Sequence, residues 1–251
     1  MPALVNTFLF VEPDDNYLLY GSRPLHQIIE ANKLAGQDIT ELMGADANPT
    51  KIKQVLAAKN PLFCSMIGHG SESVYTCQNL APLLHAENPE ELDLMNGRVL
   101  DLCSCLTATT LGPSLVEAGT VSYIGYKQEF WFYTGDAAGA TRATQSPFIA
   151  EFQFVASILR GKSAGEARAD QLKKYDEEIA YWTTGEGKNH PDASELAQII
   201  TLNKSISTFL GEASVAPSPQ VGALATGITP AIPIAVAFTA LGYAIYKTVL
   251  A

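Results

Sequence analysis

The sequence is poor in cationic residues and has no stretch in which they cluster. It contains 16 lysine and arginine residues against 26 aspartate and glutamate residues, which gives a net charge of −10. Proteins that bind nucleic acids need cationic surfaces to neutralise phosphates. The charge pattern therefore argues against nucleic acid as a partner. With 251 residues, 47% of them hydrophobic, the chain is long enough to bury a sizeable core.

Cysteine is also scarce, and its spacing excludes the common cysteine frameworks. The four cysteines are Cys64, Cys77, Cys103 and Cys105, and they show no repeated Cys-x-x-Cys pair. The first ten residues, MPALVNTFLF, lack the cationic segment and the long apolar segment of a secretory signal. We therefore expect free thiols and a cytoplasmic location for the folded part of the chain.

Charge is absent altogether from residues 213–246. The composition of residues 211–227 is typical of a flexible spacer after a folded domain at 1–210. Residues 228–251 are apolar and long enough to cross a bilayer as a helix. This predicts an apolar C-terminal helix that associates the protein with a membrane. Burial of this helix against other protein subunits or against its own domain is the alternative, and a disordered tail is a third.

Short apolar runs alternate with helical patterns along most of the chain. Strands are expected at 6–13, 39–44, 61–68, 98–105 and 120–126, with a hairpin or edge strand at 73–78. Helices are expected at 25–36, 48–60, 109–119 and 146–161, and after the capping boxes Ser163/Glu166 and Asp192/Glu195. The alternation predicts an α/β fold with a mostly parallel sheet sandwiched by helices. In such sheets, ligands bind at the carboxyl ends of the strands.

Two of the predicted strand ends carry side chains that suggest catalysis. The run CSMIGHGSES (64–73) presents His69 between two glycines, and RVLDLCSCLTA (98–108) presents Cys105. An imidazole beside a thiol makes the thiolate accessible at neutral pH and can later protonate a leaving amine. The backbone amides of Gly70 and Cys105 could stabilise the oxyanion of an acyl-transfer intermediate. We therefore interpret His69 and Cys105 as a catalytic dyad.

The order of these motifs resembles the caspase-haemoglobinase fold (clan CD) of cysteine peptidases, nearest the gingipain and CHAT-domain branches. SMIGHGSES is followed by LCSCLTA, so that Cys105 lies 36 residues after His69. In that family a His-Gly pair ends one strand, and a cysteine preceded by a small residue ends the next. LGPSLVEAGTVSYIGYKQEF and ILRGKSAGEA are similar to later segments, so the resemblance covers roughly residues 5–185. It implies a caspase-like fold and a cysteine endopeptidase that acts on a polypeptide substrate without a metal or organic cofactor.

The resemblance favours Cys105 as the nucleophile and leaves Cys103 as the alternative. Cys105 follows the small residue Ser104, whereas Cys103 follows the bulky Leu102 and lies two residues deeper in the predicted strand. Ala108 stands where the family usually has glycine. This difference bears on the geometry of the turn after the proposed nucleophile and not on the dyad itself.

In the resembling family, the loop after the fifth strand commonly helps to line the specificity pocket. Glu129, Trp131 and Asp136 lie in the corresponding segment, and the two carboxylates could receive a basic residue of the substrate. The aromatic cluster at 130–133 is expected mainly in packing, with a binding wall as the alternative.

Other interpretations of the same residues stay open. A histidine at a strand end is often only a structural turn residue. Cys64, Cys103, Cys105 and His69 could together bind zinc. The chain could also use this fold as a structural or interaction subunit of a larger complex, with an idle active site.

Overall fold

The computed structural model describes residues 7–14 and 16–217. The strands are β1 (Thr7–Glu12), β2 (Asp38–Met43), β3 (Phe63–Ile67), β4 (His69–Gly70), β5 (Val74–Thr76), β6 (Pro82–His85), β7 (Val99–Cys103), β8 (Ser122–Tyr126) and β9 (Ser207–Gly211). The helices are α1 (Leu19–Asn32), α2 (Pro49–Lys59), α3 (Pro89–Asp93), α4 (Leu111–Glu117), α5 (Arg142–Glu151), α6 (Gln153–Leu159), α7 (Ala164–Thr183) and α8 (Ala193–Ile206).

Six strands form one sheet in the order β2-β1-β3-β7-β8-β9. The first five run parallel, and β9 pairs antiparallel with β8. Every residue of β3, β7 and β8 is buried, which explains why these strands have continuous apolar runs instead of alternation. The chain reverses its direction across the sheet between β1 and β3. The carboxyl edge at this point is the switch point at which doubly wound sheets bind ligands.

Helices cover both faces of the sheet, so the prediction of an α/β fold with a mostly parallel, helix-covered sheet is confirmed. On one face, Phe8 and Phe10 pack with α1, α5 and α6. On the other face, Leu9 and Leu100 pack with α2 and α4. Burial of each large apolar side chain contributes about 1.5–3 kcal/mol. These two clusters therefore supply most of the driving force that holds the layers together.

A second, small sheet begins immediately after β3. Its strands β4, β5 and β6 are antiparallel, with His69 paired to Thr76 and Gly70 paired to Tyr75. The predicted hairpin or edge strand at 73–78 corresponds to β5. The Tyr75 side chain is fully buried, and its hydroxyl donates a hydrogen bond to the carbonyl of Ile67 at 2.8 Å. This contact fixes the small sheet against the end of β3.

Two helices begin earlier than the apolar periodicity predicts. Helix α1 starts at Leu19 instead of residue 25, because its first turns bury small residues such as Gly21 against the ring of Phe148. Helix α5 starts at Arg142 after the N-cap Thr141, and Pro147 lies within it. Small buried residues give no apolar stripe, so the sequence pattern shows only the later part of each helix.

Of the two predicted capping boxes, one is confirmed and one is wrong. Ser163 accepts a hydrogen bond from the Glu166 amide at 3.3 Å, and the Glu166 carboxylate accepts one from the Ser163 amide at 2.9 Å. Asp192 occupies the N-cap position of α8 but makes no capping hydrogen bond. Its carboxylate instead accepts a hydrogen bond from the hydroxyl of Tyr133 at 2.5 Å.

The folded part of the chain extends past residue 210. Strand β9 ends at Gly211, and the carbonyls of Ala213 and Val215 accept hydrogen bonds from the first amides of α7, each at 2.7 Å. The start of the predicted spacer at 211–227 is therefore hydrogen-bonded to the domain. No helix within residues 7–14 and 16–217 combines the length and hydropathy that a bilayer span needs. The predicted apolar helix at 228–251 lies outside the described residues.

Candidate functional site

Strand register brings the chain segments that carry His69 and Cys105 next to each other at the edge of the sheet. Phe63 pairs with Val99, and the pairing continues to Ile67 and Cys103 at the carboxyl ends of β3 and β7. His69 and Cys105 each lie two residues beyond this last pair. Since neighbouring strands are about 4.8 Å apart, the two residues leave the sheet side by side. A hydrogen bond of 3.3 Å from the Gly68 amide to the Cys103 carbonyl continues the ladder into this region.

Both residues line one small cavity of about 60 Å³ at the switch point. Its walls come from the segments that follow β1, β3, β7 and β8 and from α5. The lining residues are Tyr17, Leu18, Gly21, Ile67, Gly68, His69, Cys103, Ser104, Cys105, Phe130, Phe132 and Phe148. The cavity is therefore apolar and aromatic, except at the strand ends that carry the dyad.

The ring of His69 has an unused nitrogen in this cavity. Nε2 is buried and has no hydrogen-bond partner within the described part of the chain, while the backbone carbonyl of His69 accepts a hydrogen bond from Thr76 Oγ1 at 3.2 Å. A structural turn histidine normally pairs its buried nitrogens, because an unpaired polar atom costs about 1–3 kcal/mol. The free Nε2 thus distinguishes His69 from a satisfied structural residue.

Cys105 carries a partly exposed free thiol. Its sulfur accepts a hydrogen bond from the Phe130 amide at 3.4 Å, and no hydrogen bond joins it to the His69 ring in the described structure. Burial raises the pKa of the Cys105 thiol above its ordinary value, and the negative charge of Glu129 adds to this rise. The Phe130 amide acts in the opposite direction because it stabilises the thiolate. The balance of these effects favours the thiol form of Cys105 over the thiolate.

The turn after the candidate nucleophile contains an unusual backbone conformation at Leu106. Its φ angle is +63°, a region that residues with a Cβ rarely adopt. The turn is held in place by hydrogen bonds from the Leu106 amide to the Gln128 carbonyl and from the Ala108 amide to the Tyr126 carbonyl. Ala108 does not have a positive φ. Alanine is therefore compatible with the turn at the position where the resembling family usually has glycine.

Gly70 lies directly against the backbone of the candidate nucleophile. A Cβ at position 70 would lie 2.5 Å from the Cys105 carbonyl oxygen and 2.3 Å from Ser104 Oγ, so no other residue fits there without displacement. No backbone carbonyl within residues 7–14 and 16–217 accepts the Cys105 amide. These two backbone segments meet at the strand ends, although Gly70 is not among the residues that line the cavity.

Cys103, the alternative nucleophile, has a different environment. Its side chain is almost completely buried, and burial together with the charges of Glu151 and Asp101 raises the pKa of its thiol well above the ordinary value. A thiol in such surroundings stays protonated and is a weak nucleophile. The environments of the two cysteines therefore favour Cys105.

Beneath Cys103 lies a pair of fully buried carboxyl groups, Asp101 and Glu151. Ser65 Oγ donates to Asp101 Oδ2 at 2.7 Å, and Gln171 Nε2 donates to Glu151 Oε2 at 2.8 Å. Asp101 Oδ1 and Glu151 Oε1 receive no hydrogen bond from a donor group of the described residues. Burial raises the pKa of Asp101 well above its ordinary value, and the adjacent Glu151 carboxylate adds to the effect. We therefore expect the pair to hold one proton between the two carboxyls.

The three residues predicted for the substrate pocket do not line the cavity. Glu129 and Trp131 are exposed, and the backbone of Trp131 is fixed through hydrogen bonds to the Asn203 amide side chain. The Asp136 carboxylate accepts a hydrogen bond from Thr141 Oγ1 at 2.8 Å. The structure brings Phe130, Phe132, Phe148, Tyr17 and Gly21 to the cavity instead. Of these residues, only Tyr17 and Gly21 could have been predicted from the sequence, because they follow β1 closely and so lie beside the switch point.

The zinc alternative is not supported by the arrangement of donors. Within the described ranges, the only three His, Cys, Asp or Glu side chains with ligand atoms close enough to share a metal ion are Glu12, His26 and Glu41. The four residues of the zinc alternative do not form such a set. A second, open groove of about 770 Å³ between α7 and α8 is lined by no cysteine, histidine or carboxylate. The strand-end cavity is therefore the candidate reaction site.

Comparison with known proteins does not assign this chain to a family. No protein-family model and no curated protein sequence matches it. The resemblance to caspase-haemoglobinase peptidases thus depends on the sequence motifs alone.

Proposed function

We propose that the protein is a cysteine peptidase in which Cys105 is the nucleophile and His69 is the general acid and base. The observation that carries the proposal is that both residues line one cavity just beyond the paired ends of β3 and β7, where His69 Nε2 has no hydrogen-bond partner among the described residues. A caspase-like fold is part of the same proposal. It is supported by the order of the His-Gly and Ser-Cys motifs on adjacent parallel strands.

The geometry is compatible with two-step acyl transfer. The Cys105 sulfur attacks the peptide carbonyl carbon while its proton passes to His69, and the oxyanion is held by the Gly70 and Cys105 amides. As the C–N bond breaks, His69 gives the proton to the leaving amine. Water, deprotonated by His69, then attacks the thioester and regenerates the thiol. Neither a metal nor an organic cofactor takes part in these steps.

We further propose that the enzyme prefers a small apolar side chain before the scissile bond. Phe130, Phe132 and Phe148 line the cavity beside Cys105, and no carboxylate lies among the lining residues. A buried cationic side chain without a partner there would carry a large desolvation cost. Glu129 is exposed, and Asp136 is hydrogen-bonded to Thr141, so neither is placed to receive lysine or arginine in this cavity.

A thiol-reactive electrophile tests the assignment of the dyad. We expect modification to map to Cys105 by mass spectrometry, to persist in the buried-thiol control Cys103→Ala, and to slow strongly in His69→Ala. Peptide-library cleavage should disappear in Cys105→Ala and should favour alanine or valine over lysine and arginine. An unreactive Cys105 in the wild type, or peptide cleavage that survives Cys105→Ala, would contradict the proposal.

A structural or interaction subunit with an idle site is the second candidate function. The raised pKa of Cys105, the missing hydrogen bond to His69 and the small cavity favour it. The two functions differ in one measurement. If Cys105 reacts with the electrophile no faster than a cysteine in an unstructured peptide, and if its rate is unchanged in His69→Ala, the idle site is the better explanation.

We also propose, from sequence alone, that residues 228–251 attach the protein to a membrane or to other protein subunits. The full chain should then sediment with vesicles or as a large oligomer. A chain that ends at Pro217 keeps the hydrogen bonds to Val215 and should remain folded and monomeric. Equal sedimentation of the two chains would contradict this proposal.

A further inference from the structure

A second cluster of chemically active side chains lies outside the strand-end cavity. Glu12 is the last residue of β1, Glu41 lies in β2, and His26 lies on α1 above them. One ligand atom from each residue lies within 4.8 Å of the other two. Three successive elements of the chain therefore converge at one point.

Glu12 is the member of this cluster that needs an explanation. Its side chain is only 1% exposed, and neither carboxyl oxygen accepts a hydrogen bond from an N–H or O–H donor of the described residues; its polar neighbour is the Glu41 carboxylate. A buried carboxyl that faces a second carboxylate is destabilising unless a cation or a proton lies between the two groups.

From this geometry we infer that Glu12, His26 and Glu41 form a binding site for a divalent transition-metal ion such as Zn²⁺. One imidazole nitrogen with two carboxylate oxygens is a mixed donor set that suits zinc and its neighbours better than calcium or magnesium, which prefer oxygen alone. The site would fasten α1 to the first two strands of the sheet.

The dimensions of the site fit this assignment. Zinc–ligand distances of about 2.0–2.2 Å place donor atoms of one ion roughly 3–3.5 Å apart. His26 Nδ1 now lies 2.6 Å from Glu41 Oε2, so the ion would separate this pair slightly and draw Glu12 inward. The side chains of His26 and Glu41 are 42% and 19% exposed, which leaves an entry path and room for a water ligand.

The chain contains a matched control for this cluster. His85 Nδ1 lies 2.7 Å from Glu91 Oε2, with exposed fractions of 41% and 17% that nearly equal those of the His26–Glu41 pair. This second pair has no third ligand within reach in the described structure. A surface His–Glu pair alone should therefore bind metal weakly, and the difference between the two pairs isolates the contribution of Glu12.

The test is titration of the chelator-treated full chain with Zn²⁺, followed by calorimetry and by elemental analysis after dialysis. We expect one retained equivalent and a higher melting temperature. His26→Asn and Glu12→Gln should each weaken binding by roughly tenfold or more, the size of effect produced even by outer partners of metal ligands. His85→Asn and Cys105→Ala should bind zinc as the wild type does.

Three outcomes would overturn the inference. The first is that the protein retains no zinc after dialysis. The second is that His26→Asn and His85→Asn lose equal zinc affinity, and the third is that Cys105→Ala no longer binds zinc. The first outcome would mean that Glu12 and Glu41 only share a proton. His26 is partly exposed, so His26→Asn should fold even if Glu12→Gln does not, and circular dichroism checks both variants.

Discussion

Replacement of Asp101 by asparagine tests the shared proton in the buried acid pair. In the native state, the raised pKa keeps a proton on the Asp101–Glu151 pair. In the unfolded chain, Asp101 ionises near its ordinary pKa of about 3.9. Unfolding above about pH 5 therefore releases one proton, and a rise in pH favours the unfolded state. The stability that this proton supplies is complete at low pH and is lost as the pH rises toward the native pKa.

The size of the effect follows from the proton count. One released proton lowers the free energy of unfolding by about 1.4 kcal/mol per pH unit, or roughly 2.7 kcal/mol from pH 5.5 to 7.5. This is a large share of a typical stability of about 5–15 kcal/mol. Asparagine is close in shape to aspartic acid, and its amide can donate to Glu151 without titrating. Between pH 5.5 and 7.5, the free energy of unfolding of Asp101→Asn should therefore fall by roughly 2.7 kcal/mol less than that of the wild type.

Urea unfolding at pH 5.5, 6.5 and 7.5 measures this slope through the fluorescence of the buried Trp182. The exposed Asp176, which pairs with Lys204 at the surface, provides the control Asp176→Asn, whose slope should equal that of the wild type. If Asp101→Asn loses stability with pH as steeply as the wild type, the two carboxyls do not hold a shared proton and the argument fails.

Three further predictions concern single residues. Glu129→Gln should increase the alkylation rate of Cys105 at pH 7 by about 1.5- to 5-fold, because exposed charges contribute about 0.2–1 kcal/mol; a slower rate would contradict the described charge effect. Gly70→Ala should abolish the proposed peptidase activity and lower the free energy of unfolding by about 1–3 kcal/mol, because the added Cβ overpacks the site. The control Gly97→Ala has a φ of +74° but open space around it, so it should lower the free energy of unfolding by only about 1 kcal/mol and leave the activity intact. Ser163→Ala should lower the free energy of unfolding by about 1 kcal/mol through loss of the α7 cap, and chemical denaturation measures the change.

The sequence predicts the sheet well because its central strands are buried on both faces. Strands β3 and β7 appear as continuous apolar runs, and α2 has a clear N-cap in Asn48, whose side chain accepts a hydrogen bond from the Lys51 amide. Strand β9 was not predicted. Its sequence STFLG is short, and none of its residues is fully buried at the sheet edge, so it gives no comparable signal.

The candidate site was predictable in its residue types but not in its surroundings. His69 and Cys105 stand out because a reactive side chain ends an apolar run in each case. The walls of the cavity depend on tertiary packing of α1 and α5, and Gly21 shows its role only through its contact with Phe148. The pairing of the acid network is likewise invisible in the sequence, because Asp101 and Glu151 lie on different elements.

Because β3 and β7 pair directly, the geometry of the proposed dyad does not depend on the length of the chain that connects the two strands. The strands that lead to His69 and Cys105 are aligned by backbone pairing up to Ile67 and Cys103, so the number of residues in the connection can change without altering this alignment. Within this connection, the turn at residues 86–88 joins β6 to α3, and Glu87 at its centre is exposed. Evolution could lengthen this turn, and an engineer could insert a binding module or a fluorescent reporter there, with the spacing of the reactive pair preserved. Relatives of this protein should therefore share the two strand ends rather than the 36-residue interval.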